Sequence, residues 1–206
     1  EHISHGMMRF ADGKMSSRTG NVITGESLIR DIEVLVMEKL ASRELNEKQK
    51  AEIAQIIAVA AIKYSILKQV TSSDIVYDAG KSISFEGDSG PYLLYTAVRA
   101  QSILEKAKRE KIKPAILRAS VETNPLVRHL TRFPEVIARA AGGRAPHHVA
   151  TYLIELSSLF NAWYAQTQIV NKDDEESPYK IAITQAVRIV LENGLKVLGM
   201  RVPEKM

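Results

Sequence analysis

Apolar residues recur at helical spacing along most of this chain. Leu28, Ile32, Leu35, Val36 and Leu40 fall three and four positions apart, as on a half-buried helix, and the pattern breaks across residues 42–46. Asn46, with Gln49 three residues on, predicts a capped start for a second helix. From Ala51 through Ile57, Ala61, Tyr64 and Leu67 to Val70, that helix is apolar so broadly that most of it should be buried. The rhythm then stops: residues 75–85 carry β-branched and aromatic side chains around Gly80, which predicts two short extended pieces or an ordered loop. Residues 86–91 read as a turn containing a helix start, with Ser89 or Asp88 as the cap and Pro91 in the first turn, where its missing N–H costs nothing. That helix should run through Leu93 to Ala107.

Three more helices are predicted. One runs from Pro125 to about Ala141 and is stopped by a left-handed turn at Gly142 and Gly143. The next starts at Pro146 and presents Val149, Leu153, Leu156, Phe160 and Trp163 or Tyr164 as one apolar face. The last opens on Ser177 and Pro178 as a cap and first-turn pair, passes through Ile181, Ala186, Val190 and Leu195 to Leu198, and closes at Gly199. The fold class is therefore all-α, a bundle of five to six helices without internal repeats.

Composition narrows the class of protein. Its 206 residues, 45% apolar and 25% charged, suffice for a real core. The longest apolar run, near Ile56 to Ile62, is far shorter than the roughly 20 residues a bilayer-crossing helix needs, so no membrane partner is expected. No secretory signal pattern is evident, and the absence of cysteine excludes disulfides, thiolate metal sites and cysteine nucleophiles; a cytoplasmic location is expected.

The net charge of +4 is modest, but it is unevenly placed. Between Arg99 and Arg118 lie seven cations (Arg99, Lys106, Lys108, Arg109, Lys111, Lys113 and Arg118) against Glu105 and Glu110, a local balance of +5. Such a stripe can face phosphates or can simply solvate the outer face of a helix. The acidic run from Asp173 to Glu176 reads as a solvated connector, a poor place for general acid and base chemistry. Adjacent His147 and His148 point in different directions and have no third ligand nearby in sequence, so no metal site is predicted.

The stretch from Gly13 to Ile23 combines glycines with Lys14, Ser16, Ser17 and Arg18, a composition that suits either a phosphate-handling loop or a solvated connection. Downstream text favours the former. The order Gly13-Lys14-Met15-Ser16-Ser17-Arg18, then Ile62-Lys63-Tyr64, then the string from Phe85 to Arg99, then the terminal Pro203 to Met206, resembles the C-terminal part of arginyl-tRNA synthetases over the whole chain. The loop is similar to the Lys-Met-Ser-Lys-Ser signature of class I aminoacyl-tRNA synthetases. The Phe85 to Arg99 string is the more specific match, resembling the start of that family's helical anticodon-binding domain.

That resemblance implies a division of the chain. Residues 1–25 would be the tail of a Rossmann-like catalytic domain carrying the signature loop, 26–85 a helical connector, and 86–206 the anticodon-binding domain. It also implies roles. Lys14, Ser16, Ser17 and Arg18 would be catalytic, with Lys14, Met15 and Ser16 forming the ATP loop. There Lys14 would stabilise charge on the α-phosphate as the amino-acid carboxylate attacks it. Ser17 departs from the pattern, which has a second lysine there, and Arg18 supplies a cation one position later with a different geometry.

Anticodon bases would stack on aromatics, with Tyr164, Trp163, Gln168 and Met206 as the candidate contacts and Arg99, Arg128, Arg132 and Arg139 as candidate tRNA contacts on phosphate. By burial statistics Trp163 also suits the core. The His-Ile-Gly-His signature of class I enzymes does not occur; His2-Ile3-Ser4-His5-Gly6 scrambles it and reads as an approach strand or loop. The expectation is thus a monomeric piece of an arginine–tRNA ligase, inactive by itself, whose partner is arginine tRNA. Magnesium-bound ATP and arginine would be engaged only with a catalytic domain, and no cofactor is expected on this piece alone. The C-terminal region of another class I synthetase, such as the cysteine enzyme, and a helical interaction protein without an RNA role remain the alternatives.

Overall fold

The computed structural model describes residues 2–10, 24–116 and 124–206. Lys14, Met15, Ser16, Ser17, Arg18 and Arg118 lie outside the described residues. The first element is a short strand, β1 (Met8–Phe10), followed by α1 (Gly25–Leu40) and α2 (Glu47–Leu67). Thr24 caps α1 by accepting the Ser27 N–H, and Leu28, Ile32, Val36 and Leu40 form its buried stripe. Asn46 and Gln49 make a reciprocal capping box at the start of α2, which satisfies two backbone donors that the helix itself cannot. The buried side of α2 carries Ile53, Ile57 and Tyr64 among the alanines 54, 58, 60 and 61. Those small side chains let another helix approach closely.

After α2 the chain forms β2 (Ile75–Tyr77), which pairs in parallel with β1 in the register Met8 with Ile75 and Phe10 with Tyr77. Asp74 fastens the pair, accepting the Met7 N–H at 2.9 Å and bonding Arg9 at 2.6 Å. The second extended piece expected around Gly80 is instead one turn of helix, α3 (Ala79–Ser82). Asp78 accepts the Lys81 N–H and closes that turn, so local capping outweighs the β-branched composition.

Helix α4 (Gly90–Arg109) begins as predicted, with Ser89 accepting the Tyr92 N–H and Pro91 in the first turn. Asp88, the other capping candidate, turns back to α2: it accepts from the Tyr64 hydroxyl and pairs with Lys68 at 2.9 Å. Burial and the bond to Asp88 push the Tyr64 pKa well above its ordinary value.

The single helix expected from Pro125 to Ala141 is two, α5 (Pro125–Leu130) and α6 (Phe133–Gly143). Pro134 has no N–H to donate to the Leu130 carbonyl, so the first helix ends and a new one starts with the proline in its first turn. The left-handed stop is not at the glycines either. Gly142 and Gly143 remain helical, and Arg144 takes φ 48°, its N–H donating back to Ala140 and Ala141.

Helix α7 (His147–Gln166) buries Val149, Leu153, Leu156 and Phe160, the stripe read from the sequence, together with Tyr152. Helix α8 (Ser177–Val197) ends at Gly199, whose φ of 70° suits a residue without Cβ. Ser177, however, does not cap α8. Its hydroxyl accepts the Asn171 N–H at 2.9 Å and donates to the Ile169 carbonyl at 2.8 Å, tying down the connector in front of the helix.

The result is the all-α architecture expected, with one two-stranded sheet beside it. Helix α4 lies at the centre, packed on α2, α7 and α8, while α1 and α2 form an antiparallel pair. A single apolar core joins all of them. Helices α2 and α4 meet backbone to backbone at the start of α4, where a Cβ on Gly90 would sit 2.4 Å from the Ala60 carbonyl oxygen.

Candidate nucleic-acid interface

Three residues on one face of α4, Tyr92, Tyr95 and Arg99, stand at positions i, i+3 and i+7, the spacing that aligns side chains along a helix. Opposite them α7 brings up Asn161 and Tyr164. The Arg99 guanidinium lies between two rings, 4.6 Å from the Tyr95 centroid and 5.1 Å from that of Tyr164. Its Nη1 donates to Asn161 Oδ1 at 2.5 Å and its Nη2 to the Tyr95 hydroxyl at 3.0 Å. Asn161 in turn donates to the Tyr92 hydroxyl and to Thr96 Oγ1, each at 3.0 Å. These bonds tie the Tyr92 and Tyr95 hydroxyls, Thr96, Asn161 and Arg99 into one network across α4 and α7.

The network floors an open cleft of about 390 Å³ lined by Lys39, Arg43, Phe85, Glu86, Tyr92, Tyr95, Arg99, Asn161 and Met206 among others. Lys39 and Arg43 come from the end of α1 and the turn after it, and Lys39 Nζ lies 6.0 Å from the Phe85 ring centroid. The cleft is cationic at its rim and aromatic at its floor. Tyr164 is 40% exposed, whereas Tyr152 and Phe160 of the same helix are buried. Its ring also packs beside Phe160, 6.4 Å between centroids. Flat π-faces with fixed cations between them can stack a nucleobase, while the rim cations can meet its phosphate.

The candidates read from the sequence are thus distributed unevenly. Arg99 and Met206 line the cleft, and Tyr164 stands beside it, against the Arg99 guanidinium. Trp163 is half-buried and packs against Phe160, 6.1 Å between centroids. Gln168 is exposed just beyond the end of α7. Arg128, Arg132 and Arg139 are exposed on α5, the turn after it and α6, and none lines the cleft. Arg139 stands instead near His148, whose pKa is lowered by burial and by the neighbouring His147 and Arg139 charges. The sequence reading did not single out Tyr92, Tyr95, Asn161, Lys39 or Arg43. The first two were legible as aromatics in phase with Arg99, whereas Asn161 shows only as one amide on an apolar stripe.

The DALR anticodon binding domain family matches residues 93–206, more than half of the chain. Arginine–tRNA ligases are similar over the full chain: that of Limosilactobacillus reuteri is 35% identical over 207 residues, and that of Fusobacterium nucleatum 35% identical over 214. In both cases the match takes in 100% of this chain and 37% of the relative. The chain therefore spans little more than a third of the length of these relatives. Among solved structures, the arginyl-tRNA synthetase of Thermus thermophilus superposes with a TM-score of 0.80 at 26% identity, covering 98% of this chain and 35% of that one. The enzyme from Plasmodium falciparum, at 20% identity and a TM-score of 0.76, shares the fold.

Proposed function

Because this chain belongs to the DALR anticodon binding domain family, we propose that it is the tRNA-binding part of an arginine–tRNA ligase and that the cleft lined by the end of α1, by α4 and by Asn161 of α7 receives anticodon-loop bases. The observation that carries this reading is the clamp on Arg99. An arginine held between Tyr95 and Tyr164, at 4.6 and 5.1 Å, presents an ordered aromatic and cationic surface at the open side of a cleft. Single-stranded RNA is recognised by such surfaces, since unstacked bases regain on the protein the stacking lost in the loop. The similarity to arginine–tRNA ligases over the full chain supports the choice of arginine tRNA as the cognate partner.

The remaining roles follow from the same family relation. In the complete enzyme Lys14, Met15 and Ser16 would belong to the loop over magnesium-bound ATP, with Ser17 and Arg18 beside it, and arginine would be activated as an adenylate before transfer to the tRNA. Lys14 and Arg18 would place positive charge where the phosphate oxygens gain negative charge. This chain would act as a monomer in the cytoplasm. No helix among the described residues is long and apolar enough to cross a membrane.

A filter-binding titration across a panel of tRNAs tests the proposal. Preference for arginine tRNAs is the expected result, and equal or absent binding overturns it. Tyr164→Ala removes one stacking face and should weaken binding of arginine tRNA by about 1–3 kcal/mol with the fold intact.

A further inference from the structure

The cationic half of α4 lies outside the cleft, and the cleft's own geometry shows what it can do. Tyr95, Arg99, Ser102, Lys106 and Arg109 follow one another at intervals of four, three, four and three residues, so they form one line along the helix. The first two floor the cleft. Ser102 lies on a second, adjoining cleft of about 320 Å³ that shares Arg43 and Met206 with the first; Glu44, Glu105 and Glu204 also line it, so the cationic part of the line begins beyond this cleft, at Lys106. Lys106 and Arg109 are exposed beyond it, about 15 Å along the axis from Arg99 at its far end. Lys111 and Lys113 continue the positive run past the helix, where Lys111 takes φ 60° to turn the chain.

Two further observations bear on this ridge. Glu110, one of only two acids between Arg99 and Arg118, is paired with Lys172 at 2.6 Å, and that bond, with smaller contributions from the Lys106 and Arg109 charges, holds its carboxyl below the usual range. The five lysines and arginines from Lys106 to Lys113 form no ion pair among the described residues. Cations in a last helical turn complement the helix dipole, but that effect ends with the turn and does not account for Lys111 and Lys113. Glu105 flanks the line and is hydrogen-bonded by Gln101 at 2.7 Å.

We propose that this ridge of α4 is a phosphate track, carrying the sugar–phosphate backbone of the RNA strand that leaves the base-binding cleft. The inference rests on the reading of the cleft as an RNA site. It adds a second surface, with Lys106, Arg109 and Lys113 as the phosphate contacts. Such contacts set register and strengthen binding without reading sequence.

The test compares the 206-residue chain with Lys106→Gln/Arg109→Gln/Lys113→Gln and with Tyr164→Ala, each titrated with arginine tRNA from low to high salt. Neutralising three contacts should lower the slope of log affinity against log salt by about two and weaken binding at least about tenfold, equally for cognate and non-cognate tRNA. Tyr164→Ala should weaken binding with the slope unchanged. If the triple variant keeps both affinity and slope while Tyr164→Ala weakens binding, the track is wrong and the cleft stands. If the wild-type chain binds no RNA, both fall. Lysine acetylation of the wild-type chain provides a readout independent of variant folding: Lys106 and Lys113 should be protected by tRNA, and unchanged reactivity at both overturns the track. Repeating the titration with an anticodon stem–loop and with its unpaired loop sequence assigns the phosphates to stem or loop according to which RNA shows the slope change.

Discussion

At the scale of single residues the cleft is organised by Asn161 more than by any group that would touch RNA. Its amide accepts one bond and donates two, joining Arg99 to Tyr92 and Thr96 across two helices. Without it Arg99 would keep its charge but lose the bond that fixes its plane between the rings. Asn161→Ala should cost about 1.5–3 kcal/mol of stability, the usual contribution of a hydrogen bond to a charged group. It should also weaken tRNA binding by roughly tenfold although the side chain is a positioning group, and its effect should not add to that of Tyr164→Ala, since both disable one platform. A double-mutant cycle measured by filter binding checks this; full additivity would separate Asn161 from the platform. The sequence could show Arg99, Tyr164 and Met206 through family resemblance, but a positioning amide leaves no periodic or compositional signal, and Asn161 became visible only when α7 was laid against α4.

At the scale of elements, what was legible depended on how local the cause was. Capping is local: Asn46 with Gln49, Ser89 with Pro91, and Gly199 all act where the sequence places them. Two boundaries failed for reasons that compete with local signals. Pro134 breaks its helix although the apolar period continues across it, and Arg144 takes the left-handed turn that the two glycines before it could have supplied. The pairing of β1 with β2 joins residues 67 positions apart and could not be read from either strand alone.

The contact of α2 with α4 carries a sharper test. Gly90 meets the Ala60 backbone, which cannot move aside as a side-chain tip can, so Gly90→Ala must separate the two helices or distort the start of α4. A loss of about 1–3 kcal/mol is expected, read as a lower urea midpoint, whereas Gly142→Ala, with open space around its Cβ, should leave the midpoint unchanged or raise it slightly. Equal midpoints for both variants would refute the close approach.

For the whole molecule, the cleft is a product of the global fold. Its walls come from residues 39–43, 85–99, 161 and 206, so no single segment can form it, and the chain's end is held by Lys63, whose ammonium donates to the Gly199 carbonyl at 2.5 Å. Residues 39–43 and 85–92 also lie ahead of the part that matches the anticodon-binding family, so on the proposed reading the end of α1 would belong to the binding surface. A ligand that spans such a cleft binds the folded chain and not the unfolded one, so it must raise the unfolding free energy of the entire bundle. At a hundred times its dissociation constant, arginine tRNA should add about 2.7 kcal/mol, an upward shift in Tm of roughly 5–10 °C for a chain of this length. Arg43→Ala, on the far wall from α7, should reduce that shift at fixed tRNA concentration while leaving the Tm of the free chain within about a degree, because Arg43 is exposed and makes no ion pair among the described residues. Differential scanning of the free and tRNA-bound chains measures both quantities, and an undiminished shift for Arg43→Ala would confine the binding surface to α4 and α7.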